Sequence, residues 1–348
     1  MTFKRSTSAI VFKMKNKYII GYGSMQDVYS DAEYKQIKKL FVFLDNEKNE
    51  TELKLFIKEN LIDEAIFEKC LEKKYITTNR YAINYSEQTV DYKNLLYVDC
   101  AYKNSEKVTE KIKKSTLLNI GCGGIGNYLM YAYAGFLPKR IIMIDGDEVS
   151  ISNLNRQILF EKNDIGKKKV DAVIEHLNNR FVDVDYVGIA KFADYDILKR
   201  VVEKYNDGNM IITISGDNST TVNDSIKIAA KYKIPCLNIG YLNDYSVIGP
   251  FFIPTMGACP FCNDIGADYE DNGYKELEKF NSKYKAPSAF MNSSMASAMA
   301  MTDILKLFAE DYTGINSLNN RVGIGNLEFN VEKVKMCRNE KCKVCGNL

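Results

Sequence analysis

The chain has 348 residues, 47 Lys and Arg against 45 Asp and Glu, and a net charge of +2. So even a balance predicts no strong electrostatic partner, and no apolar run is long enough to cross a membrane, so neither nucleic acid nor a bilayer is expected. A single histidine leaves little scope for Ser-His-Asp, Cys-His or His-metal chemistry, and nine cysteines without a secretory hydrophobic segment point to a reducing, cytoplasmic setting.

From the N-terminus, Ser8 to Tyr22 alternates and turns at Lys15-Asn-Lys17, which predicts a β-hairpin. Three short amphipathic helices follow, over Asp31–Leu44, Thr51–Lys58 and Ile62–Lys73, and Tyr75-Ile-Thr returns to extended character. Together these predict a small winged-helix-like α+β domain over residues 1–78, with residues 79–112 as a linker or extended segment. Asp45, Glu47, Glu50, Glu52, Glu59, Asp63 and Glu64 interrupt its lysines, so the one-sided basic stripe of a DNA reader is missing. A structural lobe or a peptide-binding module fits better.

The next run is the most telling. A buried strand with Leu117, Leu118 and Ile120 enters the turn Gly121-Cys-Gly-Gly-Ile-Gly126. A helix and a second apolar strand, Ile141 to Ile144, follow and end in Asp145. Glycines at Gly121, Gly123, Gly124 and Gly126 permit a tight turn and close backbone approach, and the helix start offers free N–H groups to an anion. The acid arrives at the spacing of a carboxylate on ribose hydroxyls, with Asp147 beside it. Asn153, Arg156 and Lys169 then put polar and cationic groups where phosphates would lie. No GxxxxGK[ST] loop occurs. His176 sits in a helical pattern, VDAVIEHLNNRF, as a surface or boundary residue. Asp217 follows the next core strand, in TISGDN.

Cys259-Pro-Phe-Cys262 and Cys342-Lys-Val-Cys345 are two C-x-x-C pairs, the spacing at which thiolates grip one tetrahedral Zn²⁺. Their separation is longer than a zinc finger's, which predicts a structural clasp between distant parts of the chain; a redox dithiol is the other reading. Cys337 is out of register. Cys122 lies within the glycine turn, Cys236 reads as an inert core thiol, and Cys70 and Cys100 precede the nucleotide run. Residues from about 264 to 290 are polar and irregular, a crossover segment that reads as a lid or as a solvated loop. A helix rich in small residues, Ser293 to Phe308, should be buried with Asp303 and Lys306 facing outward.

Taken together, GCGGIG, IDGDEVSISNLNRQ and GKKK resemble the adenylylating enzymes related to ubiquitin-activating enzymes, from about Asn79 to the C-terminus. The resemblance implies a Rossmann-like α/β adenylation domain over 113–348, with a mostly parallel sheet and a four-cysteine zinc clasp. It makes Gly121, Gly123 and Gly126 the ATP loop and Asp145 the ribose acid. Asn153 and Arg156 then face the phosphates, Lys169 neutralises departing pyrophosphate, and Asp217 holds Mg²⁺. It also implies a homodimer. Physical chemistry agrees: attack of a carboxylate on an α-phosphorus joins two anions, so the enzyme must supply positive charge and alignment.

Two departures narrow the match. Relatives that form a thioester or persulfide carry a cysteine in the interval that here runs from Cys262 to Cys337 without one, so this chain should stop at, or divert from, the acyl-adenylate. Sulfur-carrier relatives place a second arginine in R-Y-x-R, where this chain has Arg80-Tyr-Ala-Ile83. With the N-terminal module, NIGYLNDYSVIGPFFIP and CKVCGN, the chain resembles the microcin-C-type peptide adenylylating enzymes over nearly its full length. That implies a ribosomal precursor peptide as partner, held by an N-terminal clamp and the crossover loop, with its carboxylate activated by ATP. A second ATP could then leave a P–N bonded nucleotide. The alternatives are a sulfur-carrier adenylyltransferase and, from another class, a nucleotide-sensing DNA-binding regulator.

Overall fold

Phe3 on the first strand and Tyr75 just before the sixth are drawn into one apolar core, and the first unit of the chain is built round it. In the computed structural model the described residues are 1–6, 9–21, 26–78, 87–102, 104–216, 219–263, 276, 280 and 287–346. They form two units, Met1–Thr109 and Glu110–Leu348.

In the first unit, β1 (Thr2–Arg5) lies between β5 (Lys48–Asn49) and β6 (Ile76–Thr77), antiparallel to both. The expected hairpin is present as β2 (Val11–Met14) and β3 (Lys17–Ile20), extended by β4 (Asp27–Tyr29). Three helices follow within two residues of their expected starts: α1 (Asp31–Phe43), α2 (Glu50–Glu59) and α3 (Glu64–Glu72). Ser30 with Glu33, and Asn49 with Glu52, form capping boxes, and Asp63 caps α3, so local chemistry sets where each helix begins. Ile20, Ile37, Leu40, Leu44, Leu53 and Cys70 fill the core. Tyr75 donates its hydroxyl to Ile20 O at 2.8 Å.

The segment expected as a linker is helical instead, over α4 (Tyr92–Ala101) and α5 (Ser105–Lys114). Leu95 and Val98 are buried on α4, and Val108 and Ile112 on α5. Each helix thus has only a thin apolar seam at helical spacing. The boundary between the two units falls within α5.

The second unit is an eight-stranded sheet. Its strands are β7 (Thr116–Ile120), β8 (Arg140–Ile144), β9 (Asp185–Ile189), β10 (Met210–Ile214), β11 (Cys236–Leu242), β12 (Tyr245–Phe252), β13 (Asn320–Gly325) and β14 (Val331–Lys335). The order is β14-β13-β12-β11-β10-β7-β8-β9. Pairings from β11 to β9 are parallel and the three beyond β11 are antiparallel. Every residue of β7 and β10 is buried, which is why both read as continuous apolar runs. The helices are α6 (Gly124–Ala134), α7 (Lys169–Asn178), α8 (Tyr195–Tyr205), α9 (Ser219–Tyr232) and α10 (Phe290–Phe308).

Small residues on α10 let it approach α6: Ser293, Ala296, Ser297 and Ala300 are buried, and Ser297 donates to Ile125 O at 2.9 Å. Asp303 corrects the expectation that it faces outward. It is fully buried and accepts from Asn316 N (3.0 Å), Ser317 N (2.8 Å) and Ser317 Oγ (2.6 Å). The carboxylate ties the loop before β13 to the helix, a demand that helical periodicity cannot reveal. Removing it strands those donors, so Asp303→Ala should lower stability by about 3–5 kcal/mol in denaturant unfolding. A loss under about 1 kcal/mol would show that the anchor is dispensable.

Candidate nucleotide and metal sites

The strand order reverses at β7: β8 and β9 lie to one side, β10 and β11 to the other. Such a switch point leaves a crevice beyond the carboxyl ends of the two diverging strands. Gly121 and Gly216 meet there. Gly121 has φ +97°, and a Cβ on it would lie 3.1 Å from Gly216 N. Gly123 caps α6, and a Cβ on Gly126 would run into Gly121 O. On Gly124 it would lie 2.5 Å from Ser293 Oγ and 3.7 Å from Arg156 Cγ. All four expected glycines are therefore at one turn, with the stem of Arg156 against it.

Asp145 is directed at the same turn. Its Oδ2 accepts from Cys122 N at 2.6 Å and its Oδ1 from Asp147 N at 2.8 Å. Asp147 in turn accepts from Lys169 Nζ at 2.8 Å, and the Lys169 side chain is only 8% exposed against 52% for Asp147. Lys169 thus begins α7 as a nearly buried cation whose partner is exposed. Arg156 donates through Nη1 to Ser152 O (3.0 Å) and Asn155 Oδ1 (2.9 Å). Asn153 accepts from Ser150 N at 2.9 Å, so its side chain shapes the turn that carries Arg156. Asp217 lies outside the described residues, as do Arg80, Ile83 and most of the crossover segment.

Several residues that hold the site escaped the sequence reading. Asn119 donates to Gly121 O at 2.7 Å and accepts from Thr213 Oγ1 at 2.9 Å. Ser215 Oγ donates toward Gly121 O at 2.9 Å. Asn127 donates to Cys122 O at 2.8 Å and accepts from Leu159 N at 2.8 Å, joining the glycine turn to the Arg156 segment. The available signal was an asparagine inside the otherwise apolar LLNI strand. Burial, reinforced by the neighbouring Asp145 charge, pushes the Cys122 thiol up, so it is an inert part of the turn.

A cavity of about 180 Å³ opens beside the turn, lined by Gly121, Ile144, Asp145, Phe192, Ala193 and Gly216 among others. Phe192 is 71% exposed, and its ring sits where a Cβ on Gly146 would come within 2.8 Å. It is a flat apolar wall at the end of β9, suited to the face of a base. His176, as expected, is a boundary residue; it meets buried Asp164 at 2.7 Å.

The four cysteines of the two C-x-x-C pairs converge. Sγ separations are 3.8 Å (Cys259–Cys262), 3.7 Å (Cys259–Cys342) and 3.4 Å (Cys262–Cys345), and all four atoms lie within 4.8 Å of one another. Thiolates bound at ~2.3 Å around a tetrahedral ion would be about 3.8 Å apart, so the set could hold a metal ion. Burial pushes the Cys259 and Cys345 thiols up, which disfavours free thiolates at those two positions, whereas Cys342, despite its burial, is held down by backbone hydrogen bonds from Cys345 and Val344. Cys236 is likewise raised by burial, and Cys337 is exposed and outside the cluster.

A glycine turn at a sheet switch point, an acid on its backbone and a lysine and arginine beyond it define a nucleotide-binding α/β scaffold. The chain belongs to the ThiF family, whose profile matches residues 100–344. Its scaffold is that of the family's ATP-binding adenylyltransferases. It is similar to E. coli MccB solved with MccA-N7isoASN, at TM-score 0.82 and 25% identity over 99% of this chain and 100% of that one. It is equally similar, at TM-score 0.82 and 26% identity over 99% and 100% of the two chains, to the microcin C7 biosynthetic enzyme MccB in complex with N-formylated MccA. E. coli MccB has also been solved with ATP.

Among curated proteins, adenylyltransferase and sulfurtransferase uba4 of Neosartorya fischeri is 35% identical over 88 residues, 25% of this chain and 18% of the relative. The NEDD8-activating enzyme E1 catalytic subunit of Caenorhabditis elegans is 39% identical over 75 residues, 21% and 17% respectively. The chain therefore spans less than a fifth of the length of these two relatives.

Two outcomes check the sites. Phe192→Ala should weaken ATP binding about tenfold in calorimetry, since base–aromatic stacking contributes ~1–3 kcal/mol; unchanged affinity would remove Phe192 from the nucleotide site. Metal analysis of purified protein should find one divalent ion per chain, lost together with several degrees of Tm in Cys262→Ser. A metal-free wild type of unaltered Tm would assign the cluster no metal.

Proposed function

We propose that the protein is an ATP-dependent adenylyltransferase that activates a carboxylate of a ribosomally made precursor peptide as acyl-AMP, in a microcin-C-like or pantocin-like antibiotic pathway. The observation that carries this reading is the extent of the likeness to E. coli MccB. It takes in the residues before 100, where the ThiF profile has not begun, whereas the two curated relatives share only a quarter of this chain or less. The N-terminal unit is thus the feature that separates a peptide enzyme from its general family. Among the described residues β6 is an edge strand, and a cavity of about 270 Å³ lies against it, lined by Ser6, Lys74, Thr77, Asp99 and Tyr102 among others. An edge strand beside a partly polar cavity is a fitting receiver for an extended peptide, and supports the clamp assignment.

In the proposed reaction a carboxylate oxygen attacks the α-phosphorus of ATP, the bond to the β-phosphate oxygen breaks, and pyrophosphate leaves with the electron pair. No proton moves. The glycine turn and the N-terminus of α6 receive phosphate oxygens, and Arg156 sits against that turn. Lys169, released from Asp147, neutralises the leaving pyrophosphate. Asp217 would hold Mg²⁺, which supplies further charge neutralisation when bound. Zinc is the proposed occupant of the four-cysteine clasp, in a structural role. The working form is a cytoplasmic homodimer, and a second ATP could convert the acyl-AMP into a P–N bonded product.

The partial matches to uba4 favour one second reading, adenylylation of a sulfur-carrier protein. Exchange of labelled pyrophosphate into ATP decides between them. It should require the cognate precursor peptide, and Lys169→Ala or Asp217→Ala should reduce it at least ~100-fold. Exchange supported only by a small carrier protein ending in Gly-Gly would favour the second reading. Full exchange by Lys169→Ala would overturn the site assignment.

A further inference from the structure

Arg321, a half-buried cation of the second unit, has no counter-charge among the described residues. Ser246 donates its Oγ to Asn292 O on α10, which places Ser246 on the α10 face of the sheet. Ser246 pairs with Ile324, so Ile324 and Val322 share that face and Arg321 and Gly323 point the other way. Among the described residues no hydrogen bond, ion pair or aromatic ring meets the Arg321 guanidinium, and burial alone lowers its pKa. A guanidinium drawn out of water with nothing to pair it is unfavourable, and its planar fork is matched by a carboxylate.

The surroundings suit a chain lying across the strands. Val334, opposite Arg321 on β14, is 57% exposed, and Leu242 at the end of β11 is 60% exposed on the same face. Between them Gly323 presents no side chain, and the Tyr245 ring and Val247 Cγ2 lie over it, 3.2 and 3.8 Å from where a Cβ would be. The register places Arg321 just beyond the pair Val322–Ile248, itself level with Ile239; Asn238 pairs with Ile214 at the end of β10. Arg321 is therefore level with the nucleotide crevice and three strand spacings, roughly 14 Å, to its side. An extended peptide covers that distance in about four residues.

We propose that Arg321 anchors a carboxylate side chain of the peptide substrate, about four residues from the carboxylate that is activated, with the peptide crossing β11 to β13 on the face away from α10. The inference rests on the peptide reading given above and adds a specificity determinant to it.

Short positional-scanning peptide pools, with Glu or Gln fixed at one position, are the probe, and pyrophosphate exchange the readout. Wild type should prefer Glu about tenfold at one position three to five residues from the C-terminus, the scale of one charge-assisted pair. Arg321→Gln should lose that preference while ATP affinity by calorimetry and Tm stay at wild-type values. Arg321→Lys should keep part of it, and Arg321→Glu should turn it toward Lys. If Arg321→Gln is too unstable to assay, the Lys and Glu variants decide the matter alone. An acidic preference that survives unchanged in the variants, or none in an active wild type, overturns the anchor and leaves the peptide reading standing. A wild type inert with every pool but active on a Gly-Gly carrier protein overturns both.

Discussion

The site depends on how closely two backbone turns approach at the end of β7 and β10. Gly121 in the left-handed region lies against Ser215 and Gly216 with no room for a Cβ. Its carbonyl accepts from both Asn119 Nδ2 and Ser215 Oγ. The turn leads directly into α6, whose N-terminal N–H groups are the proposed receiver of the phosphates. A side chain at Gly121 would push apart the two strands whose divergence makes the crevice, and would carry Arg156 and the Asn127 tie with them.

Charge at the site is held in reserve. Lys169 is nearly buried and satisfied by Asp147, Asp145 is satisfied by the N–H groups of Cys122 and Asp147, and Arg156 by oxygens of its own turn. The partner of Lys169 is not enclosed with it: Asp147 is half exposed. In the proposed reaction a triphosphate would bring more negative charge to Lys169 than one carboxylate can offer, which would favour an exchange of partners. Arg321, half-buried and unpaired among the described residues, has not been provided for in this way, which is why it is read as waiting for substrate.

What was legible in the chain was local. The glycine turn, Asp145 and the C-x-x-C pairs are short motifs whose spacing is itself the geometry, and the apolar strands declared the parallel core. What was hidden depends on partners far off in sequence. Asp303 looked like the polar side of a helix, because nothing within α10 shows that Asn316 and Ser317 will need its oxygens. Residues 79–112 read as linker, although within them α4 and α5 bury Leu95, Val98, Val108 and Ile112 at helical spacing. Phe192 was invisible, because a single aromatic after a strand is common and only the fold brings it to Gly146. Asp217 and most of the crossover segment fall outside the described residues.

The proposed reaction transfers the α-phosphorus of ATP to the peptide. ATP labelled separately at the α- and γ-phosphorus, incubated with enzyme and the cognate precursor peptide, measures it directly. The predicted result is label on the peptide from the α position and none from the γ position, lost in Lys169→Ala. Label from the γ position, or α-label transferred equally well by Lys169→Ala, would contradict it.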